Sequence, residues 1–164
     1  MTNQKLQAWK NVIDKMPELL QTLNLDNFRT PDNQGDLPRK GCYVLYENGK
    51  PIYVGRSKNL PSRIDQHVSN TKSATFAYLL AKKCLTDLDI EPMRIPGKPS
   101  SRITNADVKN YPNTLSEARE RVSKMQFRIV KVNDDYEQYS FELYAALELG
   151  TTLEQGGYNS FETS

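Results

Sequence analysis

Residues 41–67, GCYVLYENGKPIYVGRSKNLPSRIDQH, gather Tyr43, Tyr53, Arg63 and His67, the only histidine of the chain, into one short unit. Residues 42–46 and 51–54 are rich in Tyr, Val and Ile and are joined at Glu47-Asn48-Gly49-Lys50, so an antiparallel hairpin is expected. A two-residue type I′ turn at Asn48-Gly49 pairs Tyr43 with Val54 and sends Tyr53 to the opposite face. A three-residue loop ending in a left-handed Gly49 pairs Tyr43 with Tyr53 instead. A shared site for the two tyrosines needs that second arrangement, or a bulge further along. Asn59 is placed to cap a helix over about residues 60–68, with Pro61 tolerated in its first turn. Arg63 and His67 then lie one turn apart on one helical face.

The ordered set Gly41-Cys42-Tyr43, Tyr53-Val54-Gly55, Asn59-Leu60 and Arg63 resembles the signature of the GIY-YIG nucleases at every anchor point. That family cuts DNA with a single divalent metal and includes excision-repair, homing and restriction enzymes. The resemblance implies an α/β fold in which a small three-stranded, mainly antiparallel sheet is flanked by helices. The domain is expected at about residues 38–161, and outside the resemblance lie residues 1–37, read as a helical extension and linker, and a basic insertion at about 86–114. The resemblance gives Tyr43 a place near the attacking water, makes Tyr53 an orienting hydrogen-bond donor, and sets Arg63 on the phosphate. His67 matches a histidine that some restriction-type members hold near the nucleophile. Arg56 and Lys58 fit positions where basic residues face the DNA backbone. A late helix supplies the glutamate that holds Mg²⁺, with Mn²⁺ able to substitute, and Asn159 looks like the closing asparagine, which braces the site's backbone.

The chemistry of the residues agrees with that role. Phosphodiester hydrolysis needs an activated water, neutralisation of phosphate charge and a stabilised leaving oxygen. A guanidinium such as Arg63 meets phosphate oxygens in a bidentate fork. A tyrosine with an ordinary pKa near ~10 is a poor base at neutral pH, whereas an imidazole near ~6.5 is a better one. Mg²⁺ commonly takes only one or two protein carboxylates and keeps its other waters, so a lone glutamate suffices. Glu142 sits in mid-helix within FELYAALELGT, and Glu148 lies two residues from Gly150 at the helix end. A catalytic carboxylate belongs on a rigid element, so Glu142 is the expected ligand and Glu148 the solvated one. Singly, each of these side chains also has a plain reading: half-buried strand tyrosines, a surface arginine, a solvent-facing histidine.

The net charge of +2 conceals an asymmetry: residues 38–131 carry +10 and residues 132–164 carry −7. A basic middle attracts a polyanion such as DNA. Within it, residues 91–114 hold four prolines together with Arg94, Lys98 and Arg102, and read as an irregular DNA-contacting insertion or a flexible surface loop. No run approaches the about 18 apolar residues needed to cross a bilayer, and the first residues lack a secretory pattern, so no membrane role is expected. Cys42 and Cys84 are too few for a disulfide framework, which fits a reduced cytoplasm.

Elsewhere, Leu6, Trp9, Ile13 and Met16 recur at helical spacing, which predicts an amphipathic helix over residues 3–16 that packs on the domain. Pro17 interrupts it or opens a second helix through Leu19, Leu20 and Leu23. Residues 73–85 and 115–124 are expected to be helical, QFRIVKV (126–132) to be a strand, and residues 136–149 to be a helix ended by Gly150. The chain has little room for a separate DNA-reading domain, and its size fits a compact, site-specific enzyme working as a homodimer. The rival expectations are a catalytically silent DNA-binding module of the same fold and a protein-interaction domain.

Overall fold

In chain order the elements are α1 (Asn3–Ile13), α2 (Met16–Leu25), β1 (Gly41–Glu47), β2 (Lys50–Ser57), α3 (Leu60–Val68) and α4 (Thr75–Asp87). After these come α5 (Asn105–Lys109), α6 (Pro112–Ser123), β3 (Gln126–Lys131) and α7 (Asp135–Leu149). The structure, a computed structural model, describes residues 3–69, 75–94, 96–97 and 102–161. β1 pairs antiparallel with both neighbours, giving the sheet order β2-β1-β3. The fold is the expected small α/β sheet with helices around it.

The hairpin resolves the two turn geometries in an instructive way. Asn48 and Gly49 take positive φ values of 52° and 77°, as a two-residue type I′ turn requires, so the three-residue loop does not form. The register then shifts between Leu45 and Tyr46: Tyr46 faces Pro51, Leu45 faces Tyr53, and Ile52 is the extra residue. Pro51 has no N–H to give to a ladder, and β2 is an edge strand, where a bulge is best tolerated. Tyr43 consequently pairs with Gly55, and both tyrosines point to one face of the sheet. The bulge restores the parity that the turn alone would have broken.

Two glycines of the signature have a steric origin. A Cβ on Gly55 would lie 2.7 Å from Tyr43 Cε1 and nearer still to Cζ and Oη, so the phenol ring lies over the bare β2 backbone. A Cβ on Gly41 would strike the Val130 carbonyl oxygen of β3 and approach Leu60 Cδ1 to 3.0 Å.

The chain forms two compact units, Met1–Arg63 with Met125–Ser164, and Ile64–Lys124. In the first, the sheet face opposite the tyrosines carries the core. Cys42, Val44, Tyr46, Val54 and Val130 meet Met16 and Leu23 of α2 and Phe141, Ala145 and Ala146 of α7. Phe141 is fully buried, and cutting it to alanine costs about 3–5 kcal/mol on the usual cavity scale. Both sheet edges are covered. Arg29 exchanges backbone hydrogen bonds with Phe127 of β3 (2.9 and 2.8 Å), and Tyr158 N–H donates to the Ile52 carbonyl of β2 (3.0 Å). In the second unit, α4, α5 and α6 pack on one another, and Phe76, Leu80, Val108, Leu115 and Val122 are buried.

Several expectations need correction. The helix expected over 3–16 breaks after Ile13, and α2 restarts at Met16 with Pro17 in its first turn, where its missing N–H costs nothing. Leu6, Trp9 and Ile13 are exposed, so the apolar stripe of α1 does not pack on the domain; Val12 and Met16 make the contacts instead. The segment 91–114 is not irregular throughout. Thr104 and Asp107 form a reciprocal capping box that starts α5, and α6 begins at Pro112 rather than Leu115. No described helix is long and apolar enough to cross a membrane.

Candidate active site

The bulged hairpin brings Tyr43 and Tyr53 together with ring centroids 6.3 Å apart. Tyr43 is buried and Tyr53 half-buried. Burial pushes Tyr43 well above the ordinary phenol range; Tyr53 and Glu142 push the same way, and Arg63 opposes. Burial likewise raises Tyr53, with Glu142 adding to it and Arg63 and Arg56 opposing. These mutual influences put Tyr43, Tyr53, Arg63, Arg56 and Glu142 within electrostatic reach of one another. At neutral pH both phenols are uncharged.

Each member is held by its own element. Asn59 Oδ1 accepts the Ser62 backbone N–H (3.2 Å), which caps α3 and fixes the turn that carries Arg63. Glu142 stands in the third turn of α7, half-buried, while Glu148 is exposed near the C-terminal end, the position of a solvated carboxylate. Asp134 starts α7 by accepting the Glu137 N–H (2.9 Å), and Gly150 closes it in the left-handed conformation at φ 70°. Burial raises the Glu142 carboxyl above the usual range, against the pull of Arg56.

Arg56 binds that carboxylate directly. Its Nε donates to Glu142 Oε2 at 2.8 Å, and its guanidinium carbon lies 3.5 Å from the ring centroid of Tyr139. Lys58 pairs with Asp135 (3.1 Å), which also binds Lys40 (3.1 Å). Arg56 on β2 and Lys58 just after it, the residues expected to face DNA, thus hold acidic partners on α7. Tyr139 and Asp135 escaped the reading of the sequence, since nothing in it links them to residues some 80 positions earlier.

Asn159 is buried and acts as a surrogate strand beside β2. Its Oδ1 accepts the Val54 N–H (2.8 Å) and the Thr151 hydroxyl (2.9 Å), and its Nδ2 donates to the Val54 carbonyl (2.8 Å). It therefore pins the residue between Tyr53 and Gly55.

The remaining expected residues belong to the second unit or lie outside the described residues. His67 belongs to the second unit, buried with its ring edge-to-face against Phe76 at 6.1 Å. It is not the solvent-facing histidine of the plain reading, and the present site is drawn from the first unit alone. Arg94 and Arg102 are exposed residues of the second unit, and Lys98 lies outside the described residues.

Comparison with known proteins bears on the same stretch. Residues 39–90 match the model of the GIY-YIG catalytic domain. The motif is that of the GIY-YIG family. The GIY-YIG region is also 43% identical over 56 residues to UvrABC system protein C from two strains of Lactobacillus delbrueckii subsp. bulgaricus. Those alignments cover 33% of this chain and 9% of each relative, so the chain spans only a small part of their length. No solved structure matches the chain significantly.

A divalent cation is the group the GIY-YIG resemblance implies. Among the described residues no three His, Cys, Asp or Glu side chains gather as ligands, so a cation wrapped entirely in protein finds no seat there. The donor set does fit a largely hydrated one. Glu142 Oε2 is taken by Arg56, and Oε1 has no protein partner among the described residues, which matches a hard ion held by one carboxylate.

Proposed function

We propose that the chain is a metal-dependent endonuclease that hydrolyses DNA phosphodiester bonds, with the nuclease domain at residues 38–161. The observation that supports this reading is that Tyr43 and Tyr53 lie together on one bulged hairpin with Glu142 and Arg63 within electrostatic reach of both. Residues 1–37 are an extension whose α2 side chains Met16 and Leu23 complete the core.

The roles follow from the environments. Tyr43, uncharged and held over Gly55, orients and polarises the attacking water rather than deprotonating it. Tyr53 donates a hydrogen bond that fixes the water or the phosphate oxygen beside it. Arg63 neutralises charge that builds on the phosphate, a contribution typically worth several kcal/mol when a preorganised donor is removed (about 2.7–4 for one hydrogen bond). Glu142 would hold the cation, Mg²⁺ with Mn²⁺ able to substitute, through its open Oε1. The bound ion supplies Lewis-acid stabilisation of the leaving oxygen. Asn159 keeps Val54, and with it Tyr53, in register.

The reading extends to site-selective cutting in the cytoplasm by a homodimer. Incubating the purified chain with supercoiled plasmid and Mg²⁺ tests the central part. Nicked or linear product that EDTA prevents supports it. Intact plasmid, branched and single-stranded DNA after incubation with folded protein would replace it with the silent DNA-binding module.

A further inference from the structure

The Arg56–Tyr139–Glu142 group has a geometry that the nuclease roles above do not use. A guanidinium has two edges suited to oxyanions, one through Nε and one through its terminal Nη pair. Arg56 gives its Nε edge to Glu142 and lays one face on Tyr139. Its Nη edge has no protein partner among the described residues. Tyr139, for its part, is a largely exposed aromatic on α7, and its ring face is occupied by this cation. It precedes Glu142 by three residues, so the two side chains stand on the same face of the helix, one above the other.

We propose that Tyr139 is a positioning residue, whose ring holds the Arg56 guanidinium in the one plane that bonds Glu142 through Nε and presents the Nη pair to a DNA phosphate. Rotation of a long arginine side chain would otherwise trade the Nε contact for an Nη contact and turn the free edge away. Stacking on an aromatic face removes that freedom, and planarity makes the hold directional in a way that a lysine could not reproduce. The Nε contact keeps a positive charge against Glu142 before any cation arrives, and the open edge anchors the polyanion beside it. The inference rests on the DNA reading of this site.

The test measures duplex DNA affinity in EDTA at several salt concentrations, so that no step of catalysis enters. The proteins are the full chain, Tyr139→Phe, Tyr139→Leu, Arg56→Ala and the double variant Tyr139→Leu/Arg56→Ala, each checked for a wild-type melting curve. Loss of the ring in Tyr139→Leu is expected to weaken binding about three- to tenfold, the scale of a cation–π contact. Tyr139→Phe keeps the face and is expected to bind like wild type. Arg56→Ala is expected to flatten the slope of log affinity against log salt by about one contact, and adding Tyr139→Leu to it is expected to change nothing further. Additive losses in the double variant, failure of phenylalanine to rescue, or wild-type affinity in Tyr139→Leu would each overturn the role of Tyr139 while leaving DNA binding intact. A wild-type chain that does not bind DNA at all would overturn this inference and the nuclease reading together.

Discussion

Replacing Gly55 with alanine puts a methyl group where Tyr43 already lies. The new carbon would sit 2.7 Å from Cε1 and closer to Cζ and Oη, whereas carbon atoms pack at about 3.5–4.0 Å. The ring must retreat by about 1 Å, and it is 2% exposed, with the sheet beneath it and no open solvent to move into. Overpacking of this kind costs about 1–3 kcal/mol, or about 2–12 °C in melting midpoint for a chain of this length. Because the displaced atom is the phenol oxygen, activity is expected to fall further than stability, by about 100-fold for a misplacement of about 1 Å. Thermal melts and plasmid-cleavage rates on the same preparations measure the two effects. Tyr43→Leu supplies the internal control, since leucine lacks all three atoms that the methyl group meets. In that background Gly55→Ala is expected to cost no more than about 0.5 kcal/mol, the level of a substitution without a steric conflict. Gly55→Ala protein that melts and cuts like wild type, or that costs as much in the Tyr43→Leu background, would refute the steric account of the signature glycine.

Asn159→Ala removes three buried hydrogen bonds and leaves the Val54 N–H and carbonyl facing no partner. A loss of at least about 2 kcal/mol is expected from two unsatisfied groups, measured by urea unfolding. The raised pKa of Tyr43 sets an alkaline limit. The unfolded chain releases this proton near pH ~10 while the folded chain keeps it, so stability is full below that pH and falls above it by up to about 1.4 kcal/mol per pH unit. Tyr43→Phe is expected to move alkaline unfolding to higher pH, followed by ultraviolet phenolate absorbance against circular dichroism. Mg²⁺ at about 100 times its dissociation constant is expected to stabilise the wild-type chain by about 2.7 kcal/mol, and Glu142→Ala to abolish that shift; an equal shift in both proteins would remove Glu142 as the ligand.

Most of the hairpin and its helix could be read from residues 41–68, because turn chemistry and capping are local. Asn48-Gly49 specifies its turn through positive φ, and Asn59 caps α3 within three residues. Turn chemistry alone does not decide the bulge at Ile52, although Pro51 marks it: a residue that cannot donate to a ladder, placed early in an edge strand, is a signal for irregular pairing. The capping box that starts α5 was also legible, in Thr104 and Asp107 three residues apart, but the surrounding prolines obscured it. The exposed stripe of α1 shows the converse failure. Helical periodicity identifies an apolar face without saying what covers it, and Leu6, Trp9 and Ile13 remain on the surface. The pairings that define the site between Arg56, Glu142 and Tyr139 join β2 to α7 across 86 or fewer residues and leave no local trace.

Cleavage of supercoiled plasmid by wild type, Glu142→Ala and Glu148→Ala, each with Mg²⁺ and with EDTA, tests the nuclease reading most directly. Wild type and Glu148→Ala are expected to give the same products with Mg²⁺ and none with EDTA, and Glu142→Ala to give none in either. Cutting by Glu142→Ala at the wild-type rate, or loss of cutting in Glu148→Ala alone, would contradict the site built around Tyr43, Tyr53, Arg63 and Glu142.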